Sequence, residues 1–397
     1  MINMNKVDRS EIFTFIQIIS LFIVLNYNAY FLVPSFEALK NAFGFSDTHL
    51  GFLSGGYLFA NGFSTILWSY LSETKFTSRK YMLSLSFVIA GTLILIDVFI
   101  TSPLYFSLII ILSGFSLGSV LPLGFSMIAD IFISEERTQA YTLWYTFGGF
   151  GITLGIAISS IVGSMLSWRH TLLIDALFLF IGGLLAWLIK EPVRGGADLG
   201  LKSGHISQRI EFIIDAKAIK KMITNRLNIL LIIESSFQVI PDTVLLIWGF
   251  QFVVRELKVS SVAALVYLSI VGTGAFGGII LARLVDKIYV RNRKMRPLTG
   301  ALFCLLSALF FILFFLSNFR LEIYDKDLMV VFIKVITKII TDPYILLASS
   351  FYFIGKFINT PLGPIKESVL ADINLPEHRS IMKSFMIIIE LLSRSIS

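Results

Sequence analysis

Cysteine and histidine are scarce in this sequence, and so are charged side chains. Cys304 is the single cysteine among 397 residues, which excludes a disulfide framework and a metal cage of cysteines. The four histidines are scattered and no two of them are four residues apart, so no zinc-site pattern is present. The sequence therefore predicts no metal site and no cofactor.

Long apolar runs are the dominant feature that remains. Charged residues make up 15% of the chain and hydrophobic residues 56%, and the mean hydropathy is +0.82. A helix that crosses ~30 Å of hydrocarbon needs ~20 mostly apolar residues, and runs of that length recur from residue 11 onward. We predict an all-α polytopic membrane protein whose spans lie at residues 11–34, 47–71, 80–101, 103–129, 139–165, 170–190, 228–254, 261–285, 297–317, 343–366 and 380–397. The first run is too long for a cleaved signal peptide, so we interpret it as a retained helix.

The placement of the basic residues predicts the topology. A formal net charge of +7 could indicate a nucleic-acid partner. If the N-terminus is cytoplasmic, however, Lys and Arg concentrate in the cytoplasmic connections, as the positive-inside rule requires. There they would contact anionic lipid headgroups. We therefore expect a multi-pass protein of the cell (plasma) membrane with a cytoplasmic N-terminus and no nucleic-acid partner.

One long polar, basic segment follows the sixth span and divides the chain. We expect an N-terminal six-helix half at 1–190, a cytoplasmic linker at 191–227, and a C-terminal half of five helices at 228–397 that is incomplete. The linker contains a helical-looking stretch, Ile206–Met222. A second irregular stretch, 318–342, is expected on the outer side, and part of it could lie along the membrane interface.

Two internal regularities point to a duplicated bundle. The end of span two (Ser69–Glu73) and the end of span eight (Ala282–Asp286) both read small-x-Leu-x-acidic, with basic residues beyond. Parallel repeats of this kind place a substrate site between the halves, near the membrane midplane. Glycines four residues apart, which let helices approach closely in lipid, occur as Gly51/Gly55, Gly114/Gly118, Gly151/Gly155 and Gly274/Gly278.

Six short motifs, in order along most of the chain, carry a family resemblance. They are Leu25-Asn26-Tyr27; Ser46-Asp47 with Leu50-Gly51; Ile128-Ala129-Asp130-Ile131-Phe132 with Arg137; Trp168-Arg169; Lys190-Glu191-Pro192-Val193-Arg194-Gly195; and Ala371-Asp372 with Pro376-Glu377-His378-Arg379. Together they resemble the major facilitator superfamily, and more narrowly its Spinster-like branch. The resemblance implies a fold of two six-helix halves, with about eleven of the twelve helices present in this chain. The sequence stops at Ser397, part-way through the expected eleventh helix, so a truncated or inactive relative is one alternative.

The departures from the branch concern its charged groups. In Spinster-like proteins an Asp-Arg pair in helix one and an Arg and a Glu in helix four are tied to proton coupling. The aligned positions here are Ala29, Tyr30, Ile110 and Leu117. No histidine or carboxylate replaces them nearby, so we expect any coupling to run through the second half, at Glu234, Asp242 or Glu390.

The resemblance also implies a gate motif at Glu73, Asp286, Lys287 and Arg291. In the family the carboxylate of the second copy sits near a helix N-terminus of the other half, where the helix dipole favours negative charge. We therefore expect Asp286 to stabilise a gate.

Polar residues at membrane depth are the candidates for a substrate cavity. An ionisable side chain at the bilayer centre costs ~2.5–3.5 kcal/mol on insertion scales, so it needs a partner or water. The second half offers Asp242 after Pro241, which we expect to break its helix, Lys356 before a helix break at 359–361, and Arg394. These residues either line a cavity or form structural ion pairs, Asp242 with Lys356 and Glu390 with Arg394. The full set of cavity candidates is Asn26, Tyr27, Asn28, Tyr30, Asp242, Lys356, Asn359 and Arg394.

A secondary transporter that moves a small organic or amphiphilic solute by alternating access fits these observations best. We expect a monomer whose partners are the solute and the bilayer. An intramembrane enzyme would need a nucleophile–base pair or metal ligands at one depth, and none is legible. A channel would need a repeated filter loop, which is also absent. A non-transporting or sensor-like relative remains a third alternative.

Overall fold

The computed structural model describes residues 8–73, 78–199, 222–292, 294–317, 319–325 and 327–396, and no β-strand occurs among them. The helices are α1 (Arg9–Tyr30), α2 (Phe36–Phe43), α3 (Asp47–Glu73), α4 (Arg79–Asp97), α5 (Pro103–Ser116), α6 (Val120–Ile131), α7 (Arg137–Met165), α8 (Trp168–Trp187), α9 (Gly196–Leu199), α10 (Arg226–Glu256), α11 (Ser261–Gly272), α12 (Gly274–Arg291), α13 (Met295–Leu316), α14 (Leu328–Thr341), α15 (Pro343–Asn359), α16 (Leu362–Ile373) and α17 (Arg379–Ile396). The all-helical prediction is confirmed. The helical stretch predicted at Ile206–Met222 lies, except for its last residue, outside the described residues.

Each predicted span coincides with a helix or with a pair of consecutive helices. Eight stretches of the described residues are long and apolar enough to cross a membrane. The helix break predicted at 359–361 is confirmed, because α15 ends at Asn359 and α16 begins at Leu362. The break predicted at Pro241 is wrong, since α10 runs through it unbroken. Proline removes one hydrogen bond, and a long helix continues past that loss when its neighbours hold it.

The chain forms two compact units, and each includes a segment from the other half of the sequence. Unit 1 consists of Met1–Ser134, Leu143–Leu230 and Leu370–Leu391. Unit 2 consists of Glu135–Thr142, Leu231–Val369 and Leu392–Ser397. The first turns of α7 therefore pack with second-half helices, and the first turns of α17 pack with first-half helices. The predicted division into halves with a linker at 191–227 stays a prediction.

Glycine allows the closest helix contacts in unit 1. A Cβ on Gly114 would lie 2.6 Å from the Tyr57 carbonyl oxygen, and one on Gly151 would lie 2.3 Å from that of Ile23. Backbones this close have no room for a side chain, so α3 packs on α5 and α1 packs on α7 through these positions. In unit 2 a Cβ on Gly274 would lie 2.2 Å from the Phe353 carbonyl oxygen. By contrast, nothing lies within 4 Å of such a Cβ on Gly51 or Gly55.

An aromatic core holds unit 2 together where α11, α13, α14 and α15 pack. Buried Phe314 contacts Tyr352 edge to face, with ring centroids 5.0 Å apart. The connector before α14 packs onto this core, because the Ser260 N–H donates to the Ile323 carbonyl oxygen at 2.8 Å. The part of this connector that the sequence places along the membrane interface falls in α14, which buries Val331 and Val335 and exposes its other apolar face.

Candidate functional site

A buried ion cluster lies in unit 1 where α4 and α17 begin and α6 ends. Asp130, at the end of α6, is at its centre. Arg79 Nη1 donates to Asp130 Oδ2 at 2.6 Å, and Arg379 Nη1 donates to Asp130 Oδ1 at 3.4 Å. The two guanidinium groups and the carboxylate are almost completely buried. Asp130 belongs to the first half of the sequence and Arg379 to the second, so this carboxylate joins helices from both halves.

The segment after α8 completes the cluster. Glu191 Oε1 accepts from Arg79 Nε at 3.0 Å, and Arg79 Nη2 donates to the Pro192 carbonyl oxygen at 3.1 Å. The Gly195 N–H donates to Asp130 Oδ1 at 2.9 Å from a backbone with φ of +66°, which favours glycine. The segment 190–195, which carries one of the family-like motifs, thus provides an acid, a carbonyl and an amide to one buried ion pair.

Charge pairing controls the ionisation of Glu191, which lies outside the spans. Burial alone would raise the pKa of Glu191. The charge of Arg79 and the hydrogen bonds from Ser78 and Arg79 outweigh that effect and hold the pKa below its usual value. Glu191 is therefore ionised at neutral pH, and it balances the second arginine of the cluster.

Unit 2 contains a second buried ion pair, and its arginine, Arg296, stands at the place in the repeat that matches Arg79. Arg296 Nη2, at the start of α13, donates to Asp286 Oδ1 at 3.0 Å. Its guanidinium carbon also lies 3.6 Å from the centroid of the Tyr289 ring. The second carboxylate oxygen, Asp286 Oδ2, accepts the backbone N–H of Gln139 at 3.0 Å. Gln139 lies in the first turn of α7, where free N–H groups and the helix dipole attract a negative charge.

The predicted gate residues lie in different environments in the structure. Asp286 lies at a helix N-terminus contributed by the first half of the sequence, which is the position that the family resemblance implies. Lys287 and Arg291 are exposed, and the side chain of Glu73 lies outside the described set. The buried cation is Arg296, which sequence reasoning missed. The available signal was positional, because Arg79 and Arg296 both stand in the first turn of the helix that follows the repeated motif.

The four polar candidates of α1 also differ in burial. Half-buried Asn26 donates to the Phe22 carbonyl oxygen of its own helix at 2.8 Å, and Tyr30 is half-buried too. Tyr27 and Asn28 are buried, at 2% and 3% exposure. The more exposed face of α1 therefore carries Asn26 and Tyr30.

A carboxylate lies beside α1, which corrects the sequence-based expectation that none does. Asp175 on α8 is fully buried, and its Oδ2 accepts from Asn28 Nδ2 at 2.6 Å. The Tyr57 hydroxyl on α3 donates to Asn28 Oδ1 at 2.5 Å. Asp175 is 147 residues from Asn28 in sequence. It reaches this position only because α8 packs against α1, which no local motif predicts.

Four of the second-half candidates have described side chains, namely Lys356, Asn359, Glu234 and Glu390. Half-buried Lys356 on α15 has its Nζ 5.9 Å from the centroid of the Phe311 ring and 6.0 Å from that of Tyr352. Asn359 and Glu390 are half-buried, and Glu234 is exposed. The side chains of Asp242 and Arg394 lie outside the described set, so the pairs Asp242–Lys356 and Glu390–Arg394 stay predictions.

Unit 2 also has a buried lysine that the sequence analysis missed. Lys366 on α16 is 7% exposed, and its Nζ donates to the Ser235 hydroxyl of α10 at 2.9 Å.

Comparisons with known proteins agree on one family. The sequence profile of the Major Facilitator Superfamily matches residues 18–363. The sphingosine-1-phosphate transporter SPNS2 of Danio rerio is 25% identical over 314 residues, which cover 74% of this chain and 60% of that protein. Protein spinster homolog 3 of Mus musculus is 27% identical over 198 residues, 47% of this chain and 36% of that protein. The matched region thus spans less than two thirds of these relatives.

Solved structures show the same fold. The proton:xylose symporter XylE superposes with a TM-score of 0.65 at 16% identity, covering 97% of this chain and 87% of that chain. The transporter FucP, in an outward conformation, superposes with a TM-score of 0.54 at 15% identity, covering 98% and 99%. At these identities the likeness is one of fold.

Proposed function

This chain belongs to the Major Facilitator Superfamily, and on that premise we propose that it is a secondary transporter that moves a small organic or amphiphilic solute across a membrane by alternating access. The observation that carries the proposal is a reciprocal pair of buried charge contacts. In unit 1 the first-half Asp130 binds the second-half Arg379. In unit 2 the second-half Asp286 binds the first-half Gln139 amide. Each contact ties helix ends of one half of the sequence to the start of a helix of the other.

Charged contacts of this kind suit a gate that opens and closes. An apolar seam that opens to water exposes its surface at a cost proportional to the area. A charge that leaves its buried partner regains its hydration, so the open state is less penalised than it would be for an apolar seam. Inside the closed state the same charges hold one geometry, because each lacks water and must keep its partner. This combination favours two discrete states, as alternating access requires.

The substrate class rests on the relatives and on the second-half candidates. SPNS2 is named for the transport of sphingosine-1-phosphate, an amphiphile with an anionic head. Lys356 places a cation beside the Phe311 and Tyr352 rings. An ammonium group among aromatic rings matches a solute that has both a polar head and an apolar tail. We therefore propose an amphiphilic solute, and Lys356, Asn359, Asn26 and Tyr30 as the residues that meet it.

A cross-link across one of these contacts tests the proposal. The hydroxyls of Thr138 and Ser368, from opposite halves of the sequence, lie 3.0 Å apart in unit 2. In a Cys304→Ser background, a disulfide between T138C and S368C should stop uptake into proteoliposomes, and a reductant should restore it. The uptake assay uses labelled sphingosine-1-phosphate and a panel of small organic solutes.

A matched control is available inside the first half. The hydroxyls of Ser86 and Ser119 lie 2.7 Å apart, and both residues are buried. A disulfide between S86C and S119C should leave uptake unchanged, because it joins helices that move together. Uptake that persists with a verified Thr138–Ser368 cross-link would refute the gate. Wild-type protein that takes up no solute would instead identify a non-transporting relative.

The chain is an integral multi-pass membrane protein by family and by its apolar helices. We further propose that it resides in the plasma membrane with a cytoplasmic N-terminus, acts as a monomer, has no enzymatic activity and binds no nucleic acid. The concentration of Lys and Arg in alternate connections supports the orientation.

A further inference from the structure

The hydrogen-bond chain Tyr57–Asn28–Asp175 in unit 1 has no part in the ion clusters described above. Its three side chains come from α3, α1 and α8 and are 5%, 3% and 0% exposed. The chain is directional: the Tyr57 hydroxyl donates to Asn28 Oδ1 at 2.5 Å, and Asn28 Nδ2 donates to Asp175 Oδ2 at 2.6 Å. Both contacts are short, and both depend on the Asn28 amide.

Few groups around Asp175 would stabilise a permanent negative charge on its carboxylate. A buried carboxylate is normally paired with a cation or saturated with donors. Among the described residues Asp175 has one hydrogen-bond donor, Asn28, and its Oδ1 has none. No described lysine, arginine or histidine forms a salt bridge with it. The cation nearest in sequence, Arg169, is engaged elsewhere: it donates to the carbonyl oxygens of Val98 and Ile100 and acts electrostatically on Asp97.

The groups around Asp175 are neutral phenols. Tyr27 of α1 and Tyr57 of α3 lie within electrostatic reach of the carboxylate, and Tyr30 lies within reach of Tyr57. The Ser159 hydroxyl of α7 interacts with the Tyr27 hydroxyl. None of these groups supplies a positive charge, so a proton is the simplest counter-ion that the site can take.

The Asn28 amide allows the chain to run in either direction. Amide oxygen and nitrogen occupy nearly the same volume, so a half-turn of the amide exchanges donor and acceptor without moving its neighbours. With Asp175 ionised, Tyr57 donates to the amide oxygen and the amide nitrogen donates to Asp175. With a proton on Asp175 Oδ2, the acid donates to the amide oxygen, and the amide nitrogen donates to the Tyr57 oxygen. The Tyr57 proton is then free to turn toward another acceptor.

We propose that Asp175 is a proton-binding site and that its protonation reverses the hydrogen-bond chain through Asn28 to Tyr57. The reversal changes what Tyr57 offers to its surroundings, from a donor committed to Asn28 to a donor available on the side of Tyr30. Tyr30 is a half-buried candidate for the solute cavity. The chain therefore links a buried proton site to a residue that the solute would meet. Proton binding is independent of the proposed transport, and only its effect on uptake rests on that function.

Infrared difference spectra of the purified full chain in lipid nanodiscs, recorded between acidic and alkaline pH, test the proton site directly. We expect a carboxylic-acid C=O band that disappears in Asp175→Asn. The matched control is Asp97→Asn, which removes the other fully buried carboxylate near the same end of the first half. Because buried Asp97 can itself take up a proton, Asp97→Asn should remove a different C=O band and keep the one that Asp175→Asn removes. If Asp175→Asn removes no band, or if Asp97→Asn removes the same band, the proposal is overturned.

Tyr57→Phe tests the hydrogen-bond chain. It also gives a second result if Asp175→Asn fails to fold. It keeps the ring that packs on Gly114 and removes only the hydroxyl. Because the amide then loses its partner on one side, the Asp175 band should shift in frequency, whereas Asn26→Ala should not shift it. An unshifted band in Tyr57→Phe contradicts the reversal. In liposomes, Asp175→Asn should lose the response of uptake to an imposed pH gradient while downhill exchange continues. Absence of uptake in wild type would count against transport and leave the spectroscopic result standing.

Discussion

The carboxylate of Asp286 accepts the backbone N–H of Gln139 at 3.0 Å, although 147 residues separate the two in sequence. The bond places a charge from α12 at the positive end of the α7 dipole. Because Arg296 holds the other carboxylate oxygen, Asp286 connects a helix start to an arginine through one side chain. A change at this residue therefore acts on two contacts at once.

Asp286→Asn should slow transport while leaving insertion intact, and it should also lower the stability of the fold, because Arg296 stays buried without its charge partner. The amide oxygen still accepts one hydrogen bond, but the charge interaction with the α7 dipole and with Arg296 is lost. A charge–dipole contact is worth ~0.3–1 kcal/mol, so the closed state should lose roughly up to fivefold in population from that contact alone. Uptake assays measure the slower transport, and cysteine accessibility of the gate region measures the smaller population of the closed state. Lys287→Gln, which changes an exposed neighbour, is the control. Full activity in Asp286→Asn would reduce Asp286 to a structural residue.

Asp130→Asn should destabilise the fold, because it leaves Arg79 and Arg379 buried beside a neutral group. Removing one partner of a buried ion pair costs about 3–5 kcal/mol. The unfolding temperature of the detergent-solubilised protein should fall by many degrees. Asp325→Asn, which breaks an exposed pair with Lys334, should change the unfolding temperature little. Equal effects of the two substitutions would contradict the central position of Asp130.

The lowered pKa of Glu191 implies that the stability of the fold depends on pH. Its pKa is lower in the folded protein than in the unfolded chain, so ionised Glu191 stabilises the fold. That contribution is complete above the unfolded pKa of about 4.3 and is lost as the pH falls from there through the folded pKa. Glu191→Gln should unfold at a lower temperature at neutral pH and show a weaker decline toward acid. Exposed Glu256 provides the control, because Glu256→Gln should keep the wild-type pH profile.

Single cysteines test the orientation. Cys304 is exposed, so it must first be replaced by serine. A membrane-impermeant thiol reagent should then reach a cysteine at Ser207 or Asn292 from the cytoplasmic side, and one at Asn318 from the outer side. Labelling of position 207 from outside would reverse the whole topology.

Coupling can be assigned by comparing the two halves. The sequence alone directs any coupling to Glu234, Asp242 or Glu390, whereas the structure adds Asp175. Transport in liposomes with and without a pH gradient should be measured for Glu234→Gln, Asp242→Asn, Glu390→Gln and Asp175→Asn. We expect Asp175→Asn to lose the pH-driven component. If one of the other three loses it and Asp175→Asn retains it, the second half performs the coupling.

The spans could be predicted from sequence because the need to bury apolar side chains in lipid is local. Each run from residue 11 onward specifies a helix by its own composition, and so does the break before Leu362, where Pro361 ends the pattern. Asp286 could be anticipated too, because its motif occurs twice along the chain.

The partners of these residues could not be predicted in the same way. Arg379 is 249 residues from Asp130, and Asp175 is 147 residues from Asn28. Their meeting depends on which helices pack together, and a single sequence carries no local trace of that choice. Asn28 shows both cases. Its position in α1 could be predicted from the sequence, but its role follows from two side chains on other helices.

The long separation between Asp130 and Arg379 has a consequence for biosynthesis. Translation at ~5–20 residues per second would deliver Arg379 roughly 12–50 s after Asp130, given the 249 residues between them. During that interval the first half must hold Asp130 with Arg79 and the Gly195 amide, and the start of α17 is still missing from unit 1. A nascent first half is therefore inserted before its compact unit can be completed. A chain that never supplies Arg379 leaves the cluster permanently one arginine short.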